Sequence, residues 1–358
     1  MIQFTEEQLA VQRMVRDLAR EYIAPKAKEW DERGQFPDEL RRLFTEHDLF
    51  VMYLPEEYGG LGFDLTTQCL VIEEVAKVDG AAAVTLQDQG TSTHLMLNAC
   101  TPEQRREFLP QLKEQSRLVA FCLSEPGSGS DAGGLQTHAN RAGDVYRLNG
   151  SKTWVTNGGP AEWYLVFALT DPEKRTRGGI SVFLVDRETE GLGLGKPMKK
   201  MGLRSSATID LFLDDVVAPS SRLLGAEGDG FKYAMLTFEA SRPQVATMGL
   251  GIAEGAYEYA LNYSKERYAF GQPISQFQGI QFMLADMITA IEASRLLIYQ
   301  STAMFDRGLP NVTYQASLAK LFATDTAMKV TTDAVQILGG AGYITEHPVE
   351  RMMRDAKI

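Results

Sequence analysis

The sequence predicts a multi-domain α+β protein in three consecutive parts: helices, then a small all-β segment, then a helical bundle. Residues 1 to about 117 repeat apolar side chains at three- and four-residue steps, as in Leu9, Val11, Val15, Leu18 and Ile23, which is the period of an α-helix. Between about 118 and 225 the runs become short, apolar or alternating, and Gly, Asp, Asn and Pro separate them, as in an all-β domain. From about 229 long one-faced helical patterns resume, joined by short loops, which is the pattern of an antiparallel bundle. A chain of 358 residues is long for one core, so two or three packed domains are expected.

In the first part helices are expected at the N-terminus and over Pro37–His47, Leu65–Val78 and Pro102–Gln115, the last opened by a Thr101-Pro102 cap. The stretch Leu54-Pro-Glu-Glu-Tyr-Gly-Gly-Leu-Gly interrupts them as a loop. Strands are expected at Leu118–Leu123, Tyr146–Leu148, Trp163–Leu169, Ile180–Val185 and Ile209–Val216, with the stretch Gly150–Gly159 also placing a Trp and two Thr on a strand. The bundle helices are expected at Phe231–Phe238, Val245–Arg267, Phe277–Asp306, Tyr314–Leu338 and Pro348–Ala356. The corresponding domains are 1–117, 118–225 and 226–358.

A net charge of −11 and a pI near 5.0 argue against nonspecific nucleic-acid binding, which needs a basic surface. Cys69, Cys100 and Cys122 have neither metal-ligand nor disulfide spacing, and His47, His94, His138 and His347 are scattered, so no metal set is expected. The N-terminus reads as an amphipathic helix, without the apolar or arginine-rich pattern of a targeting segment, and no run approaches 18 apolar residues. A cytoplasmic location is the resulting expectation.

Four segments invite chemistry. Phe121-Cys-Leu-Ser-Glu-Pro-Gly-Ser-Gly-Ser-Asp131 leaves a strand into a turn rich in backbone and hydroxyl donors; the same composition also makes a plain turn. Gly150-Ser-Lys-Thr-Trp-Val-Thr-Asn-Gly-Gly159 sets Trp154 on a strand, either as core or as a surface for a flat aromatic cofactor. Arg267-Tyr-Ala-Phe-Gly-Gln-Pro-Ile-Ser-Gln-Phe-Gln278 places an Arg fork at a helix end, where it is a surface charge or a pyrophosphate partner. Gln336-Ile-Leu-Gly-Gly-Ala-Gly-Tyr343 allows close backbone approach to a ligand, or a helix C-cap. No Gly-x-Gly-x-x-Gly follows an early strand, which argues against a nicotinamide enzyme.

Together these segments resemble the acyl-CoA dehydrogenase family. So do Leu54-Pro-Glu-Glu-Tyr-Gly-Gly, Met201-Gly-Leu-Arg-Ser-Ser, Asp214-Asp-Val-Val-Ala-Pro219 and Pro348-Val-Glu-Arg-Met-Met-Arg-Asp-Ala-Lys-Ile358, in collinear order over the whole chain. The resemblance implies an N-terminal helical domain, a middle β-barrel and a C-terminal four-helix bundle. It implies FAD, with Phe121, Leu123, Ser124, Gly129, Ser130, Trp154 and Thr156 on the flavin and ribityl part. Arg267, Phe270, Gln278, Gln336, Gly339 and Gly340 would serve pyrophosphate and adenosine, reaching a neighbouring subunit's cofactor in a homotetramer. Ser130, Glu239 and Arg242 match CoA-binding positions, Glu239 replacing a commoner Asp. The implied reaction is α,β-dehydrogenation of an acyl-CoA to an enoyl-CoA, with an electron-transfer flavoprotein as acceptor.

The base is the open element. In most of the family it is a Glu a few residues after the Arg-Asp-Ala-Lys-Ile segment, where this sequence stops, so the natural chain is expected to continue past Ile358. A minority carry a Glu at the position of Ser241. Asp88, in Thr85-Leu-Gln-Asp-Gln-Gly-Thr91, is the alternative candidate base; a capping or solvated role is equally consistent with it. The polar Gln87, Asp88, Gln89 and Thr91 point to a short, branched, cyclic or polar acyl group. An oxidase of the same fold, or a catalytically silent FAD- and CoA-binding homologue, are the competing readings.

Overall fold

The computed structural model describes residues 3–358. Helix α1 (Glu6–Leu18) starts at a capping box in which the Thr5 hydroxyl accepts from Gln8 N–H at 3.1 Å and the Gln8 side chain accepts from Thr5 N–H at 3.0 Å. Short helices α2 (Ala27–Arg33) and α3 (Asp38–Glu46) follow, then α4 (Leu65–Ala76), α5 (Gly80–Ala99) and α6 (Pro102–Glu114). Thr101 caps α6 with Pro102 in its first turn, as the sequence predicts. Helix α5 has no single apolar stripe because nearly every face of it is buried, so helical periodicity has little to report there.

The middle layer is a curled, mixed seven-stranded sheet: β1 (Val119–Cys122), β2 (His138–Ala142), β3 (Val145–Thr156), β4 (Trp163–Leu169), β5 (Ile180–Asp186), β6 (Leu192–Leu194) and β7 (Thr208–Pro219). The order is β1-β4-β2-β3-β7-β6, with β5 on β4, and β1 runs parallel to β4. Every residue of β4 is buried, which accounts for its unbroken apolar run. Strand β2 is largely solvent-facing and carries no apolar signal, and β6, three half-buried residues long, is too short to show a strand period.

The last part holds α7 (Gly230–Glu266), α8 (Gln278–Asp306), α9 (Val312–Leu338) and α10 (Val349–Ala356), with a two-stranded hairpin, β8 (Tyr268–Ala269) and β9 (Gln272–Pro273), between α7 and α8. One expectation needs correction. Phe231–Phe238 and Val245–Arg267 are not two helices; they are one helix of 37 residues with Pro243 inside. An interior proline costs about 3 kcal/mol, whereas each buried large aliphatic side chain returns roughly 1.5–3 kcal/mol. Met248, Leu250 and Ile252, buried just beyond the proline, therefore outweigh the break.

Helix α7 packs closely on α4 through two glycines. A Cβ on Gly251 would lie 2.5 Å from the Glu73 carbonyl oxygen, and one on Gly255 would lie 2.1 Å from that of Lys77. Gly255→Ala is expected to lower stability by about 1–3 kcal/mol through backbone displacement, although alanine favours helix. The denaturant midpoint of the variant measures this, and an unchanged or raised midpoint would contradict the close packing. Beside these glycines the buried Glu73 carboxylate accepts from the Arg295 guanidinium and the Tyr299 hydroxyl. Arg295 and Lys77 both reach Glu254, at 2.8 and 3.0 Å, so α4, α7 and α8 share one ion network.

Candidate active site

Two segments distant in sequence meet at the end of β1. The Ser124 carbonyl accepts from Thr153 N–H at 2.9 Å, joining the turn after β1 to the middle of β3. Beneath that bond the Lys152 ammonium donates to Glu125 Oε1 at 2.7 Å and to the Leu123 carbonyl at 3.2 Å. Glu125 also accepts from the N–H groups of Gln136 and Thr137, at 2.6 and 3.0 Å, so one carboxylate closes the whole turn. Its cationic and amide partners hold the Glu125 pKa below the usual range against a substantial burial cost. The sequence reading did not single out Glu125 or Lys152. The available signal was a lysine at a buried position of a strand, which needs a partner.

Directly after Lys152 the strand bulges, and Trp154 takes φ +58 and is 64% exposed. A bulky residue held in the left-handed region costs on the order of 1–3 kcal/mol, and such strain concentrates at functional sites. Trp154 and Thr156 line a cavity of about 450 Å³ together with Val84, Leu203, Ser206 and Thr208. Asn157 donates to the Thr85 carbonyl at 2.9 Å, tying this end of β3 to α5. On the other side of the turn, Gly127 and Gly129 face open space, and Ser130 is exposed.

These features fit a flavin. Ser124 N–H donates to no group among the described residues, the glycines leave room beside it, and an exposed indole stands at the neighbouring strand end. The donor set is the one an isoalloxazine edge needs: backbone N–H, hydroxyl and a flat aromatic surface. Leu123 is buried behind them, and Phe121 packs on Phe167 and Phe238 at 5.1 and 6.0 Å between ring centroids.

Phe238 brings α7 into the site. The Arg242 guanidinium lies 5.6 Å from its ring, while Glu239 accepts from the Thr313 hydroxyl at the start of α9. Ser241, on the same helix, is buried and offers no carboxylate.

Asp88 lies one turn after Val84 on the same face of α5, and Val84 lines the cavity at Trp154. Its Oδ2 is enclosed and has no hydrogen-bond partner. Burial alone raises its pKa well above the usual carboxylate value. Its charge, when present, is felt at Tyr53 and Cys122, which sets it close to the end of β1. A capping role does not fit its position in the middle of α5.

The other polar residues of that stretch are already engaged. Gln89 spans to β1, accepting from Val119 N–H at 2.9 Å and donating to the Arg117 carbonyl at 3.3 Å. Gln87 donates to the Thr91 hydroxyl at 2.7 Å. Gln89 thus faces β1, while Gln87 and Thr91 bond each other one turn apart on α5. The sequence reading also missed a buried cluster on the adjoining face. There His94 and Gln244 both bond Gln68 Oε1, at 3.1 and 3.0 Å, and burial lowers the His94 pKa to about 4.

The remaining candidates form a second group at the far end of the bundle, where α7 ends, α8 begins and α9 ends. Arg267, Gln278, Gln336, Gly339 and Gly340 are placed there, on the surface or partly covered, and Phe270 is 96% exposed at the hairpin tip with φ +52. Phe238 and Arg267 lie about 40 Å apart along α7 at ~1.5 Å per residue.

Comparison with known proteins agrees over the full length. The acyl-CoA dehydrogenase N-terminal, middle and C-terminal domain families match residues 5–115, 120–216 and 228–358. A cyclohex-1-ene-1-carbonyl-CoA dehydrogenase from Syntrophus aciditrophicus is 44% identical, over all of this chain and 86% of its own length. The solved butyryl-CoA dehydrogenase of Megasphaera elsdenii superposes with TM-score 0.96 at 41% identity, covering 100% of this chain and 94% of that one. A structure described as the electron transferring flavoprotein of Acidaminococcus fermentans gives TM-score 0.96 at 42% identity, with the same two coverages.

Proposed function

The chain belongs to the acyl-CoA dehydrogenase family, and from that premise we propose that it uses FAD to desaturate a short, branched or cyclic acyl-CoA, with Asp88 as the proton acceptor. The observation that carries the reading is the enclosed Oδ2 of Asp88, without a hydrogen-bond partner, one helical turn from the cavity that Trp154 lines. Two relatives, from Syntrophus aciditrophicus and Geobacter metallireducens, are named cyclohex-1-ene-1-carbonyl-CoA dehydrogenases, which favours the cyclic end of that range.

The division of labour follows from the residues. Ser124 N–H, the hydroxyls of Ser124 and Thr156 and the indole of Trp154 hold and orient the ring; FAD, when bound, supplies the acceptor for one hydrogen and its electron pair. Ser130, Glu239 and Arg242 direct the CoA arm, with Arg242 as the cationic partner for its phosphates. The substrate's acidified C–H bond then breaks with its proton passing to an Asp88 oxygen, which must be ionised to receive it. A carboxylate whose pKa burial raises is correspondingly more basic once ionised. Turnover is therefore expected to rise with pH through the raised pKa of Asp88.

Arg267, Phe270, Gln278, Gln336, Gly339 and Gly340 are read as the grip on pyrophosphate and adenosine of a neighbouring subunit's FAD. The exposure of Phe270 suits a surface covered by a second copy, and a homotetramer with an electron-transfer flavoprotein as acceptor completes the reading. The direct test is anaerobic titration of the FAD-loaded protein with a panel of acyl-CoAs, followed by loss of flavin absorbance. Short, branched and alicyclic thioesters are expected to bleach it fastest, and preference for long straight chains would overturn the assignment of the acyl group.

A further inference from the structure

Lys152 is fully buried, and binding, orientation and proton transfer as described above give it no part. Its ammonium donates to the carbonyl of Leu123 as well as to Glu125. That carbonyl belongs to the same planar unit as the N–H of Ser124, and in a trans peptide the two point in opposite directions. The peptide is thus held from behind by a positive charge. Its N–H, without a partner among the described residues, is directed away from Lys152. A second bond fixes the other side of Ser124, whose carbonyl accepts from Thr153 N–H.

The environment magnifies this arrangement. Interactions of a charge in a desolvated site are screened far less than in water, and a hydrogen bond to a cation polarises the group that accepts it. Positive charge on the Leu123 oxygen makes the Ser124 N–H a stronger donor. Glu125 takes one of the ammonium's hydrogens at 2.7 Å, and the Leu123 carbonyl takes another at 3.2 Å.

We propose that Lys152 is a positioning residue for the flavin: it orients the Leu123–Ser124 peptide and, through it, favours the two-electron-reduced form of bound FAD over the oxidised form. The proposal rests on the reading that this turn holds FAD. A purely structural staple between β1 and β3 would secure folding and FAD retention while leaving the balance between redox forms untouched.

The experiment is the midpoint potential of FAD on the holoenzyme, measured by equilibration with a reference dye and compared with free FAD. The paired variant Lys152→Gln with Glu125→Gln removes both charges together and leaves no buried ion without a partner. It is expected to fold, retain FAD and lose about tenfold in its preference for reduced over oxidised FAD, equivalent to a fall of about 30 mV for a two-electron couple. An unchanged potential in the folded, FAD-loaded variant overturns the role given to Lys152. Should the pair fail to fold, Glu125→Gln alone serves: it unmasks the ammonium, so the potential is expected to rise, and an unchanged value there overturns the proposal equally. Failure of the wild-type chain to bind FAD would overturn the functional reading as well, which separates the two outcomes.

Discussion

Asp88→Asn is expected to lower turnover by a factor of about 10²–10⁴, the range typical for loss of a positioned general base. The substitution is nearly isosteric, so FAD retention and the visible spectrum should stay close to wild type while bleaching by substrate becomes slow. The residual rate should also lose the rise with pH that titration of Asp88 gives the wild type. Stability carries an independent signature. Burial raises the folded-state pKa of Asp88 above its unfolded value. The favourable contribution of its protonated form is present below the unfolded pKa and is lost as pH rises through the folded one. Above the folded pKa the wild type holds an ionised, desolvated carboxylate, which the neutral amide of the variant replaces, so the variant should be the more stable of the two at alkaline pH. Unchanged turnover in Asp88→Asn would remove it as the base, whatever the stability shows.

Arg267→Gln is expected to act on FAD retention alone. A charged hydrogen bond to a phosphate contributes about 1.5–3 kcal/mol, so the dissociation constant for FAD should rise by a factor of roughly 10–150. Arg267 is exposed at the end of α7, which makes the substitution harmless to folding. Fluorescence of released FAD on dilution reports the loss, and addition of excess FAD should restore activity. Retention equal to wild type would place the pyrophosphate elsewhere.

The architecture was largely legible because its signals are local. The apolar run of β4, the Thr101-Pro102 cap and the one-faced helices α8 and α9 each reflect an immediate environment. The continuity of α7 through Pro243 was not, since the burial that overrides the proline comes from neighbouring helices that a local pattern does not contain. Within the site, Trp154 and the Ser124 turn carry recognisable compositions. The Lys152–Glu125 pair joins residues 27 positions apart, and its meaning appears only once β3 lies against the end of β1. Gln89, beside Asp88 in sequence, points instead to β1, because a helix turns about 100° with each residue.

The length of α7 has a consequence for assembly. Its early turns stand beside Phe121, whereas Arg267 lies about 40 Å further along the rod at ~1.5 Å per residue. If one end of the rod serves the ring of one dinucleotide and the other the phosphates of the next, FAD acts as a cross-link between chains. Occupancy and association then become linked equilibria: each bound FAD stabilises the oligomer, and each dissociation step weakens the hold on the FAD that remains.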